Sequence, residues 1–383
     1  MPYSDDTLGI YIHVPFCRSK CIYCGFYSIA NTKLKDVYLS ALHQEIDLRA
    51  NYIHGHVLRT VYFGGGTPSL LTSQELTGIL THLRQRFSFD HLEEITLEAN
   101  PEQLTPEYCK ALRSLGINRL SIGVQSFQDH VLQFMGRKHT ATEAVCAVHN
   151  AQEAGFDNIS IDLIYGVAER NDEQWSEDLA TAFSLNVQHL SCYALTPEEN
   201  SILYKQIANH KHAPVDDEQA ARQYGILQQA LPHSGFSQYE VSNFALPGFE
   251  SKHNSSYWNH TPYLGLGPSA HSFDGHSRQW NSASITQYCK DIQNEDMWAG
   301  CEELEETDLY NEHILLGLRT REGLSLKDIE DKYGKERVDE LLYYFDNNIP
   351  KSQYEKTADT LRLTEEGLWF ADGIAEDAFI VED

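Results

Sequence analysis

Through the first two thirds of the chain, apolar residues come in short, nearly continuous runs. Each run ends in Gly, Pro, Asn or a polar residue, and a helical pattern follows. The strand candidates are GIYIHVP from Gly9, TVYFGGG from Thr60, EITLEANP from Glu94, RLSIGVQS from Arg119, NISIDLIYG from Asn158 and HLSCYALTP from His189. Helical stretches such as KLKDVYLSALHQEIDLRANYI and TPEYCKALRSLG lie between them. In the second, Thr105 suits the N-cap, Pro106 the first turn and Gly116 the stop. Such strands alternating with helices predict a parallel sheet covered by helices. The fold class is therefore α/β, an incomplete (β/α)6 TIM-like barrel over residues 1–247.

From about Gly248 the pattern changes, and residues 248–383 form a second unit. SKHNSSYWNHTPYLGLGPSAHSF reads as a loop dense in His, aromatics and Gly, followed by an acidic helix over CEELEETDLYNEHILLGLRT. SLKDIEDKYG, KERVDELLYYFDNN and TLRLTEEG then give a small, mainly helical, winged-helix-like order. Glu336, Asp339, Glu340 and Asp346 make the would-be recognition helix acidic, which favours packing or protein contact over DNA.

In barrels of this kind function sits where strands end. The polar residues collect there: Cys17, Cys21 and Cys24 after strand one, Gly64–Thr67 after strand two, Glu98 and Asn100 after strand three. Gln125 and Ser126 end strand four, Asp162 lies late in strand five, and Tyr193 and Ala194 end strand six.

The formal charge of −27 repels phosphate backbones and argues against nucleic-acid partners. No apolar run approaches the ~18–20 residues that span a bilayer, so no membrane insertion is expected. The other five of the eight cysteines are scattered, and with no export signal apparent the chain is expected in a reducing cytoplasm.

The clustered cysteines stand at C-x3-C-x2-C. Zinc needs a fourth ligand, which His13 could supply. A cubane iron–sulfur cluster held by three thiolates would instead leave one iron open to a ligand that binds and leaves.

CRSKCIYCGF after YIHVPF, followed by FGGGTPS, resembles the radical S-adenosylmethionine (SAM) superfamily. The resemblance implies a [4Fe–4S] cluster on Cys17, Cys21 and Cys24, with SAM chelating the open iron. LEANP, RLSIGVQSF, GRKHT and DLIYG narrow it to the oxygen-independent coproporphyrinogen III oxidase group and its HemW-type haem-chaperone branch. Carried over by motif, Tyr11, Gly65 and Glu98 would contact the cluster-bound SAM. Gly66, Thr67, Gln125, Arg137 and Asp162 match positions that bind a second SAM in the oxidase, and Tyr23 and Ala194 match further cofactor contacts.

The decarboxylating oxidase has another cysteine where this chain has Phe26, and a longer segment before its first strand than MPYSDDTLG. Both differences favour the haem-chaperone branch. HNSSYW matches a motif of that branch proposed for haem binding, making His253 and Tyr257 candidate haem ligands and His13, His260 and His271 lesser ones. The expected function is a haem chaperone that binds haem, a [4Fe–4S] cluster and SAM and passes haem to an acceptor protein, membrane-bound respiratory acceptors included. The alternative is the oxidase, so enzymatic activity and oligomeric state stay open.

Overall fold

The computed structural model describes residues 7–52, 57–295 and 299–381. Six strands pair side by side in parallel and in sequence order: β1 (Thr7–Val14), β2 (Val57–Gly65), β3 (Glu94–Ala99), β4 (Arg119–Gln125), β5 (Ile159–Tyr165) and β6 (His189–Ala194). Their crossovers carry α1 (Lys35–Leu48), α2 (Ser73–Arg86), α3 (Pro106–Ser114), α4 (Asp129–Phe134), α5 (Ala141–Glu153) and α6 (Asp172–Ser184). Local sequence sets these helices. Thr105 accepts a hydrogen bond from Tyr108 N–H at the start of α3, and Thr72, Thr140 and Asn171 form capping boxes on α2, α5 and α6.

Strand periodicity separates two environments. Leu120, Ile122 and Val124 of β4 and Ile161 and Leu163 of β5 enter the core that the helices cover. The alternate residues Ser121, Gly123, Gln125, Asp162 and Ile164 face a cavity inside the array. Apolar faces build the fold, and the opposite faces are left for chemistry.

The sheet does not close on itself. After α7 (Ile202–Ala208) and α8 (Asp217–Ser234), β7 (Ser237–Glu240) and β8 (Asn243–Ala245) extend it beyond β6. The stretch expected as a loop contains α9 (Lys252–Trp258), β9 (Tyr263–Leu266) and β10 (His271–Phe273). β9 pairs in parallel with β1, and β10, β11 (Ser277–Trp280) and β12 (Gly300–Glu303) continue outward. The residues expected to begin the acidic helix are therefore strand β12. The helix α11 (Glu306–Leu318) starts only after a capping box of Glu305 with Asp308.

Glu45 of α1 fastens this extension. Its buried carboxylate accepts hydrogen bonds from Gly267 N–H (2.7 Å), Asn281 Nδ2 (2.6 Å) and Tyr288 OH (2.7 Å). Arg49, one turn on, reaches Gly265 O and Gln279 Oε1. Leu264 and Leu266, with Ile285, Tyr288 and Ile292 of α10 (Ile285–Gln293), share the barrel core. A second core begins at Tyr310 and joins α11, α12 (Leu326–Tyr333) and α13 (Lys335–Asn348). It also takes in a three-stranded sheet of β13 (Leu324–Ser325), β14 (Tyr354–Lys356) and β15 (Thr360–Leu363), with α14 (Glu365–Leu368) and α15 (Ala371–Asp377). β9 to β12 and α10 thus continue the sheet and core of the barrel, and the second core takes over from Tyr310.

Glu45 and Arg49 also form a buried ion pair at 3.8 Å, and removing one partner of a buried ion pair costs about 3–5 kcal/mol. Glu45→Ala is expected to lower unfolding stability in urea by that amount. A loss under about 1 kcal/mol would show that Glu45 does not hold the extension.

Candidate functional site

A cavity of about 660 Å3 opens at the C-terminal ends of the six parallel strands. Its wall brings together Cys17, Cys21, Tyr23, Cys24, Gly65, Gly66, Thr67, Glu98, Gln125, Arg137, Asp162 and Ala194. Every one of these had been singled out in the sequence. Asn100, Ser121 and Tyr193 also line it but were not among the candidate ligands; the available signal was a strand-end place for Asn100 and Tyr193 and, for Ser121 within β4, alternation with Leu120 and Ile122.

The cysteine loop leaves β1 and is tied at its base, where Cys17 N–H bonds Ile29 O (3.0 Å) and Ile29 N–H bonds Pro15 O (2.7 Å). Midway, Ile22 N–H bonds Met135 O, and Ile22 O accepts Leu203 N–H of α7. Cys24 N–H returns to Cys21 O, closing a turn between the last two thiols. Among the described residues, no three Cys, His, Asp or Glu side chains are already gathered as ligands of a single ion. Donors face the sulfurs: Thr67 Oγ1 lies 3.4 Å from Cys17 Sγ and Arg137 Nη1 lies 3.6 Å from Cys21 Sγ. Burial raises the pKa of Cys24. Such donors favour an anionic sulfur centre.

Beside the loop, Gly66 N–H bonds Val14 O (2.8 Å). Gly65 has φ +108°, and a Cβ there would come within 2.7 Å of the His13 ring. Glycine is needed at that position on both counts. His13, the possible fourth zinc ligand, has both ring nitrogens engaged, by Tyr11 OH (3.1 Å) and Tyr27 O (2.9 Å). Burial lowers its pKa to about 4, so the imidazole is neutral. Tyr11 sits behind the cavity wall, stacked 6.1 Å from Tyr62.

Glu98 accepts hydrogen bonds from Tyr62 OH (2.8 Å) and Gly65 N–H (3.1 Å). Burial nevertheless pushes its pKa up to about 7. Burial raises Asp162 as well, against hydrogen bonds from Ser191 and Ser121. Arg137 donates to Asn100 Oδ1 (2.8 Å) and Gly123 O, while its Nε is buried without an acceptor. Burial opposes its charge, but Tyr23 and Cys21 outweigh that and raise its pKa. Gln125 has φ +71°, a strained conformation for a residue with a side chain, at the bulge that ends β4. Two carboxyls, one fixed guanidinium with an unmatched donor and a glycine-lined backbone fit a ligand carrying both amino and carboxylate groups.

His253 and Tyr257 lie apart from this cavity. Glu94, the first residue of β3, accepts hydrogen bonds from Lys252 N–H (2.9 Å) and His253 N–H (3.1 Å), anchoring the start of α9 at the N-terminal end of the barrel. His253 is fully buried, with Nδ1 on Thr60 Oγ1 (2.8 Å) and Nε2 on Tyr257 OH (2.9 Å). Burial lowers its pKa to about 3. As folded, neither ring nitrogen is free for a metal. His260 and His271 are also outside the cavity, His260 against the ring of Phe273 and His271 against that of Trp280.

A carboxyl whose folded pKa lies above its ordinary 4.5 loses stability for the folded state as pH rises from 4.5 through about 7. Glu98→Gln removes this, so without ligand the variant should gain on the parent by roughly 3 kcal/mol across that window. Urea titrations at pH 5, 6, 7 and 8 read the difference. A difference independent of pH would mean that Glu98 titrates in its ordinary range.

A model of the radical SAM superfamily matches residues 11–182. The heme chaperone HemW of Mycobacterium tuberculosis is 36% identical over 330 residues, 85% of each chain. The heme chaperone HemW of Haemophilus influenzae is 32% identical over 387 residues, 98% of each chain. Among solved structures, the radical SAM enzyme coproporphyrinogen III oxidase (HemN) from Escherichia coli superposes with a TM-score of 0.83 at 24% identity, over 99% of this chain and 91% of its own. That likeness carries the fold through the C-terminal unit. With relatives this similar over nearly the whole length, the chain belongs to the HemW family of the radical SAM superfamily.

Proposed function

We propose that the protein is a haem chaperone that holds a [4Fe–4S] cluster, binds SAM, and delivers haem to an acceptor protein. What carries this reading is kinship with HemW proteins over the full length, together with Phe26 where the oxidase places another cysteine. Cys17, Cys21 and Cys24 would hold the cluster, which would supply a site for SAM and the electron for its reductive cleavage.

The cavity residues have separate tasks. Gly65 and Gly66 let the backbone approach the methionyl group, and Glu98 accepts from its amino group. Arg137 pairs with a carboxylate, its Nε still lacking an acceptor. Gln125, Asp162, Thr67, Tyr23 and Ala194 close the remaining wall. Tyr11 acts through His13 and Gly65 from behind the wall. Haem ligation by His253 would require displacing Thr60 or Tyr257. No helix among the described residues is long and apolar enough to cross a membrane. A membrane-bound acceptor would therefore be met without a spanning helix from those residues.

Haem titrated anaerobically into the purified protein should give a saturable Soret band at low micromolar concentration. Coproporphyrinogen incubated with SAM and reductant should stay unconverted. Absence of a Soret change would remove the chaperone reading, and conversion to protoporphyrinogen would replace it with the oxidase.

A further inference from the structure

We infer that haem docks across the mouth of the cysteine cavity, its macrocycle on Phe26 and Tyr193 and its propionates toward Arg18 and Lys20. This rests on the haem-chaperone reading and gives it a binding surface.

Phe26 is 70% exposed and Tyr193 is 42% exposed, although both line the cavity wall. Neither joins a hydrophobic core, so packing does not account for them. Exposed large apolar side chains grouped beside a cleft point to a ligand or partner surface. The two segments are fastened together. A Cβ on Gly25 would come within 2.6 Å of the Glu198 side chain, so the turn carrying Phe26 lies against the chain leaving β6. Ile22 O also holds Leu203 N–H at 2.7 Å, and Leu203 is flanked by the exposed Ile202 and Tyr204.

Charge selects among occupants. On a protein of net charge −27, an anion needs local cations. Lys20 lines the cavity with Phe26, and Arg18 is exposed on the same loop. Aromatic faces beside two cations suit a flat apolar ring bearing carboxylates. Phe26 then has a positive use: a platform stands where the oxidase has a thiol.

The test uses the full-length protein with its cluster reconstituted, SAM present, and haem affinity read from the Soret band. Phe26→Ala combined with Tyr193→Ala should weaken haem binding by about tenfold or more. Phe26→Trp should retain binding, and Arg18→Glu with Lys20→Glu should weaken it and flatten its salt dependence. Iron and sulfide content should match the parent in the double-alanine variant. Haem affinity within about twofold of the parent in that variant would overturn this docking surface while leaving the chaperone reading intact. A parent protein that gives no Soret band would instead remove that reading, and the docking surface with it.

Discussion

The parallel pairing of β1 with β2 is the constraint on which the rest depends. Its register runs to Val14 opposite Gly65, and Gly66 N–H closes it on Val14 O. That one hydrogen-bonded end fixes where the cysteine loop leaves the sheet and where the glycine turn begins. His13 occupies the space a Cβ on Gly65 would need, so the two segments cannot be re-spaced independently. β1 also carries β9 on its other edge, and Glu45 and Arg49, at the end of the helix that follows β1, hydrogen-bond the same C-terminal extension.

The interior of the array is polar where most barrel interiors are filled by branched apolar layers. Thr60, Tyr62, Thr96, Arg119, Ser121, Asp162, Ser160 and His189 are all buried or enclosed there. Burial raises Glu98 and Asp162, and the buried guanidinium of Arg119 works in the opposite direction on both. Glu98, pushed up to about 7, is thus poised between neutral and charged states, a condition suited to a ligand that brings its own charges.

The barrel was legible in the sequence because each strand carries its own signal. RLSIGVQS, for example, alternates Leu120, Ile122 and Val124 with Ser121, Gly123 and Gln125, and both faces were used. The residues that line the cavity were legible because they stand at strand ends and within specific motifs. The segment from Ser251 to Glu303 was not. α9 has only seven residues, and its N-terminus is anchored by Glu94, 158 positions earlier, an interaction no local window contains. β9 and β10 are four and three residues long, too short for a period, and their register rests on Gly265 packing against the backbone of His271. The burial of His253 and the engagement of both its ring nitrogens are tertiary facts, outside any local reading of HNSSYW.

The central claim is that three thiolates hold a cluster whose remaining iron meets SAM within this one cavity. Mössbauer spectra of the iron-57-reconstituted protein, recorded with and without SAM, test it most directly. The expected result is that about one quarter of the iron absorption shifts on adding SAM while the rest stays in place. A spectrum indifferent to SAM, or a protein that takes up stoichiometric zinc with no sulfide, would contradict it.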